Sequence, residues 1–330
     1  LDSVLFAGLS LIAVGDFFQL PPIKAKPVFS PFKNDCFNLC HPWEVFQMIE
    51  LDQIMRQQGD STFTDLLNRV RIGSLNDEDF ESLSARIVTK SDVNYPHNAM
   101  HIWAENAPVD AHNKEMLNSI NEELVTLVAH DQYPPIHDIN KALERGRCAN
   151  GGLDYRIDLK KGARIMITTN LDVEDRLING QIGTVSKIKY NRVSSKPEVI
   201  YVTFDDPNAG KERIRKSGDI YARTNGAVPI VAVLCRIKVK ENRPSSPEIQ
   251  RTQFPLTLAW ACTVHKVQGL TLDKVVFHFS LCRQKQFNCG QVYVALSRVK
   301  SLSSLFLVGD INRTSVRADL RVQSEYERLR

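Results

Sequence analysis

Short apolar runs, broken by charged and turn residues, divide the chain into three textures. Residues 9–14 (LSLIAV) form a continuous apolar run ending in Gly15-Asp16, the pattern of a strand buried on both faces of a parallel sheet. A Pro-rich loop follows at 21–31. Phe63, Leu66, Leu67 and Val70 recur at helical spacing inside 60–73, and Gly73 suits a helix C-terminus. The pattern predicts a second helix with Phe80, Leu83 and Ile87 on one face, a short strand at 101–104 and a helix at 108–120.

The texture changes near Gly151. Residues 164–169, 183–188, 199–204 and 228–239 are rich in Val, Ile and Thr and are separated by Gly, Asn, Asp and Pro, as expected of a small antiparallel barrel. Residues 241–253 (ENRPSSPEIQRTQ) are the most linker-like stretch. Strands at 254–264 and 274–279, a helix at 291–299 and a last strand at 305–308 restore the earlier pattern. The organisation is an α/β domain interrupted by a β-rich insert, and 330 residues are enough for two domains.

Composition narrows the picture. Hydrophobic residues at 43% and charged residues at 24% describe a globular chain, and its apolar runs are too short to span a bilayer. A net charge of +4 permits a local nucleic-acid groove without arguing for one. Seven scattered cysteines read as reduced thiols inside the cell. Cys36, Cys40 and His41 could supply three zinc ligands, but no fourth lies at finger-like spacing, so a buried Cys pair in a turn is the simpler reading.

Candidate chemistry lies in a few segments. Residues 15–22 (GDFFQLPP) end the first expected strand, where ligands of open α/β sheets bind. Gln19 there could donate to a phosphate oxygen and accept from an attacking water. The plainer alternative is a tight turn with Asp16 as its cap. Arg56, in residues 51–57 (LDQIMRQ), and Arg298, in 290–299 (GQVYVALSRV), carry the planar, permanently charged fork that suits phosphate oxygens. Their plainer alternatives are a surface pair of Arg56 with Asp52 or Asp60, and a cation at a helix C-terminus for Arg298. In residues 259–273 (AWACTVHKVQGLTLD), Thr263, His265 and Lys266 sit at a strand-to-helix turn where hydroxyl, imidazole, ammonium and backbone N–H groups can converge on a phosphate. Gln268 and Gly269 follow, and glycine allows close backbone approach. Trp103 and Trp260 could stack bases, but their apolar surroundings favour core packing.

Together with residues 177–185 (LINGQIGTV), these segments in this order resemble the Pif-type DNA helicases of superfamily one, relatives of RecD, along nearly the whole chain. They correspond to helicase motifs III, IV, V and VI and to the start of the family's SH3-like insert. The resemblance implies an α/β, RecA-like fold of the P-loop-NTPase type. The end of the first RecA-like domain would occupy 1–33, the second domain 34–150 and 251–330, and a small SH3-like β-barrel 151–250. It implies a motor using ATP and Mg²⁺ that moves 5′ to 3′ on single-stranded DNA and unwinds duplexes in repair, recombination and telomere maintenance. Gln19, Arg56 and Arg298 would be catalytic; these three with Gln268 and Gly269 would meet the nucleotide; Thr263, His265 and Lys266 would hold DNA. Single strands and DNA junctions are the expected partners, RNA stays open, and no membrane partner is expected. The expected place is the nucleus of a eukaryotic cell, with the mitochondrion as the second choice.

No segment matches G-x-x-x-x-G-K-[ST], and the family's Asp-Glu motif for Mg²⁺ is expected upstream of Leu1; Asp2 and Asp16 do not replace it. The chain therefore reads as a C-terminal fragment that begins between motifs II and III and is inactive alone. The competing reading is a non-catalytic, single-strand-binding remnant of chromosomal or mobile-element origin.

Overall fold

Parallel strands covered on both faces need nearly continuous apolar runs, and short runs of this kind build a four-stranded sheet. Its order is Ala261–Thr263, Met100–Trp103, Val275–His278, Leu305–Val308. Met100 pairs with Val275, and Val275 with Leu305, both in parallel register. The computed structural model that shows this describes residues 5–23, 25–30, 41–93, 95–132, 152–238, 248–279 and 287–330. The chain divides into two units, Leu1–Pro108 with Cys262–Arg330, and Val109–Ala261.

In the first unit, helix Ser61–Ile72 forms where the 3.6-residue pattern places it and buries Phe63, Leu66, Leu67 and Val70. Asp60 caps it by accepting from the Phe63 N–H, and Gly73 ends it in the left-handed region at φ 72°, which only glycine adopts cheaply. Helix Asp77–Ser84 opens with a reciprocal cap between Asn76 and Asp79. Ile87 lies beyond that helix and bridges to Leu307 as a strand residue, so the expected third face position is not helical.

Residues 9–14 do not form the expected strand. They carry no regular secondary structure and are exposed, with Leu9, Leu11, Ile12 and Val14 at 71, 51, 92 and 90%. A strand of a parallel sheet needs a ladder partner and covered faces, and among the described residues none lies beside this run.

The second unit is built on an antiparallel sheet in the order Leu256–Leu258, Arg164–Ile167, Ile182–Tyr190, Pro197–Phe204, Val228–Ile230. Its inner face buries Ile165, Ile167, Val185, Ile200, Val202 and Leu256 in one core. Gly183 is required there, since a Cβ would lie 2.7 Å from the Thr203 carbonyl oxygen. The stretch 254–264 is not one strand: Leu256–Leu258 pairs with Arg164–Ile167, whereas Ala261–Thr263 joins the parallel sheet. The linker-like stretch is also corrected, because Glu248–Gln253 is a strand between His130–Gln132 and Val233–Lys238. Its inward residues are Ile249, Arg251 and Gln253. Arg251 pairs with Asp131 at 2.8 Å, and the Gln253 amide donates to the carbonyls of Leu127, Asp154 and Tyr155. Polar residues occupy the interior because each finds a partner there.

Candidate functional site

The loop after residue 14 is fixed by Asp16. Its carboxylate accepts from the Phe18 N–H at 3.1 Å, and its carbonyl accepts from the Gln19 N–H, which closes a tight turn. Arg71, from the last turn of helix Ser61–Ile72, donates to the Asp16 carboxylate at 2.8 Å and lies 4.6 Å above the Phe18 ring. From the C-terminal helix Leu320–Leu329, the Tyr326 hydroxyl donates to Asp16 and accepts from the Phe17 N–H at 2.9 Å. Asp16 is thus an anchor with its lone pairs already used, and what it anchors is Gln19.

Gln19 meets Gln268, whose amide donates to the Gln19 side-chain oxygen at 3.2 Å. On the other side the turn presses on Gly290, the residue before helix Gln291–Leu296. A Cβ on Gly290 would collide with the Gln19 carbonyl and stand 2.7 Å from that of Phe18, and its φ is +78°. Three segments far apart in sequence therefore meet at Gln19.

Arg56 and Arg298 lie in the same unit. Arg56 donates from Nε to the Thr271 hydroxyl at 2.9 Å and from a terminal nitrogen to the Ser297 carbonyl at 3.0 Å; it pairs with neither Asp52 nor Asp60. The next residue, Gln57, is buried and donates to the Val299 carbonyl at 2.7 Å. Arg298 is 3% exposed. Its Nε donates to the Val294 carbonyl at 2.7 Å, and its terminal nitrogens reach the Ser297 hydroxyl at 2.7 Å and the Leu270 carbonyl at 3.4 Å. The guanidinium thus gathers the last carbonyls of its own helix, as a C-terminal cation does, while facing the 267–270 turn.

Neither arginine has a carboxylate partner among the described residues. Burial, and then the nearby positive charge of Arg56, push the Arg298 pKa down to about 10, so it remains charged at neutral pH. Burial lowers Arg56 as well. These two partly desolvated cations lie near enough for each charge to be felt by the other, and the chain gives neither a carboxylate counter-ion among the described residues.

Thr263 ends its strand and precedes the one-turn helix Val264–Val267, its hydroxyl making no cap bond. His265 follows, its pKa lowered by partial desolvation, which leaves a neutral ring at pH 7. Lys266 is half-buried, and its charge opposes the effect of burial on the Cys262 thiol, which still rises to about 12. Gly269 adopts φ +85° with open space where a side chain would be. The three residues expected to hold DNA thus sit together at one strand-to-helix turn, and Gln268 lies one step from Gly269 at the Gln19 contact.

Trp103 is buried and stacks on His278 at 3.8 Å, and Trp260, in the second unit, packs against that unit's own core. The possible zinc set cannot be assembled here: Cys36 and Cys40 lie outside the described residues, while the His41 ring accepts from the Trp43 N–H at 3.2 Å. The roles of Gln57, Arg71, Tyr326 and Gly290 escaped the sequence reading, whereas the tight turn capped by Asp16 was one of its two alternatives. A signal for Gly290 was present, as a glycine at the head of an otherwise apolar helix.

A family model for PIF1-like helicases matches residues 2–81. ATP-dependent DNA helicase PIF1 of Danio rerio is 31% identical, over 98% of this chain and 44% of that protein. The chain spans less than half the length of the curated relatives it matches. Among solved structures, Pif1 helicase from Candida albicans aligns over 99% of this chain and 70% of that one, with a TM-score of 0.73 and 26% identity. Pif1 helicase from Bacteroides, in complex with ADP-AlF3 and ssDNA, aligns over 86% and 56%, with a TM-score of 0.58 and 25% identity. The α/β, RecA-like character of the parallel-sheet unit agrees with these neighbours. The likeness to PIF1 runs along 98% of the chain, and so through every segment that meets at Gln19 and Arg298, and the PIF1-like family model matches its first part.

Proposed function

We propose that this chain is the second motor domain, with its insert, of an ATP-driven helicase that moves 5′ to 3′ along single-stranded DNA and opens duplexes. The observation that carries the reading is the pair Arg56 and Arg298, desolvated and without a chain carboxylate, beside the Gln19–Gln268 contact. This set offers guanidinium hydrogens and the mixed donor and acceptor groups of two side-chain amides, which fits the phosphate end of ATP and its attacking water. It offers no carboxylate for Mg²⁺, and among the described residues no cluster of metal ligands is present. Arg298 would act as the finger that stabilises charge building on the transferred phosphoryl group, with Arg56 beside it and Gln19 orienting water. Gln268 would carry the state of Gln19 to the turn holding Thr263, His265 and Lys266, which would grip the strand.

Residues 1–33 would close the first RecA-like domain, and the antiparallel sheet of the second unit would be the SH3-like barrel. The phosphate loop and Mg²⁺ ligands would come from segments outside these residues, so the chain alone should not hydrolyse ATP. Repair, recombination and telomere maintenance in the nucleus, or mitochondrial DNA upkeep, are the roles this activity would serve. Junctions and single strands would be its substrates.

The test joins two readouts in the protein carrying the upstream motifs. Arg298→Ala should cut ATP turnover by ~10³–10⁵ and leave single-strand binding nearly intact. Lys266→Ala should weaken binding and flatten its logarithmic salt dependence by about 0.7, with little effect on turnover without DNA. The reverse pattern would overturn the assignment of the two segments.

A further inference from the structure

Away from these motifs, the outer face of the β-rich unit gathers positive charge. Between residues 187 and 223 there are nine Lys and Arg against five Asp and Glu. Lys187 and Lys189 stand two apart on strand Ile182–Tyr190, so both project from the same face. Lys187 is the cross-strand partner of Tyr201, whereas Val185, Ile200 and Val202 turn to the core. The short helices Lys211–Ser217 and Ile220–Asn225 cover part of this outer face, where Ala222 packs on Tyr201. Two hollows of about 510 and 580 Å³ result, sharing Lys189, Tyr201 and Asp219. Lys187 and Arg192 rim the hairpin side, and Arg213 and Lys216 the helix side.

Among the described residues, none of these five cations has a carboxylate within ion-pair distance, whereas neighbouring Arg215 pairs with Glu212 at 2.6 Å. Three acids also line the hollows, Asp172, Glu198 and Asp219, and Glu198 takes a 3.4 Å bond from the Asn191 amide. Asp219 accepts from the Tyr201 hydroxyl at 2.5 Å and from the Ala222 N–H, and Asp172 accepts from the Asp175 N–H. Lys187 is steered over the hollow by the Tyr221 ring, 4.4 Å away. Tyr190, exposed at the strand end, offers a ring to a base.

We propose that this face binds the phosphate backbone of a nucleic-acid strand, as a second site on the unit that holds none of Thr263, His265 and Lys266. A backbone bearing one charge per nucleotide can neutralise cations spread along a groove, and releasing its counterions drives binding. An exposed tyrosine adds stacking that an acidic polypeptide would not use. The site stands apart from the nucleotide reading, because its residues belong to the other unit and its assay contains no ATP.

The experiment measures fluorescence anisotropy of a labelled single strand and of a duplex of equal length against salt, with the whole chain. The parent is compared with Lys187→Ala/Lys189→Ala/Arg213→Ala/Lys216→Ala, with the same four positions exchanged between Lys and Arg, with Arg215→Ala and with Lys266→Ala. Each lost phosphate contact lowers the logarithmic salt slope by about 0.7 on a single strand and 0.9 on a duplex. The quadruple alanine variant should bind at least ~10-fold more weakly near 0.1 M salt and lose about 3 units of slope on a single strand if all four touch phosphate. The Lys–Arg exchange should retain binding, and Arg215→Ala should change little. The probe that loses more identifies single strand or duplex as the occupant. Unchanged affinity and slope with a native circular-dichroism spectrum would overturn the proposal. Polyglutamate binding as tightly as the oligonucleotide, through the same four residues, would overturn it too and mark a surface for acidic proteins.

Discussion

Two arginines show what burial of charge means in each unit. Arg251 is 1% exposed and has its counter-ion in the chain: Asp131 meets it through paired bonds at 2.9 and 2.8 Å, and the Leu153 carbonyl takes a third. Arg298 is about as buried but is held only by carbonyls and a hydroxyl, with another arginine as its charged neighbour. Both are fixed in place, but only Arg251 is neutralised. A guanidinium that ends its hydrogen bonds on carbonyls retains its charge for a ligand, and one that ends them on a carboxylate has spent it.

The comparison breaks most visibly on stability. Arg251→Ala strands Asp131 in the interior and should cost about 3–5 kcal/mol. Arg298→Ala removes a charge with no partner and should cost clearly less. Urea unfolding of both variants decides it, and equal losses would remove the distinction between a structural and a poised arginine. Gly290→Ala comes next. The left-handed backbone alone costs roughly 1–2 kcal/mol for a non-glycine residue, and the collision with the Gln19 carbonyl adds to it. Lost stability together with weakened anion binding is expected; a variant with parental stability would mean the turn moves aside freely. The smallest effect sharpens the view of Arg298 as poised. Pyrophosphate at about five times its dissociation constant should stabilise the parent by about 1 kcal/mol. The thermal midpoint of Arg298→Ala should not respond.

The periodic elements were legible because their instructions are local. Helix Ser61–Ile72 carries its stripe, its Asp60 cap and its Gly73 stop within a few residues. Several strands of the two main sheets likewise stood out as short apolar runs, although 228–239 and 254–264 each proved to hold two strands of different sheets. Residues 9–14 misled because apolarity specifies burial without naming the neighbour that provides it. Glu248–Gln253 misled in the opposite sense: its polarity suggested solvent, yet Arg251 and Gln253 face inward onto partners more than ninety residues away. At the candidate site, Arg56, Arg298 and Gln19 were visible through their motifs. The Asp16–Arg71–Tyr326 anchor was not, since it depends on a turn, a helix end and the C-terminal helix meeting in space.

Asn113 bears on the order in which the chain assembles. Its side-chain oxygen accepts from the Trp260 and Ala261 N–H groups at 3.1 and 2.9 Å, and its amide donates to the Ala261 carbonyl, a link across 148 positions. The parallel sheet cannot register Met100 against Val275 until the intervening chain has come back on itself. For a free loop of that size the closure entropy is about 4 kcal/mol. The second unit, Val109–Ala261, is contiguous in sequence, and Asn113 ties its exit to its entrance. The parallel sheet inherits a short connection in place of a long one, and its contact order is set by the tie. Asn113→Ala should therefore slow the late phase of refolding followed by stopped-flow fluorescence while sparing the early one.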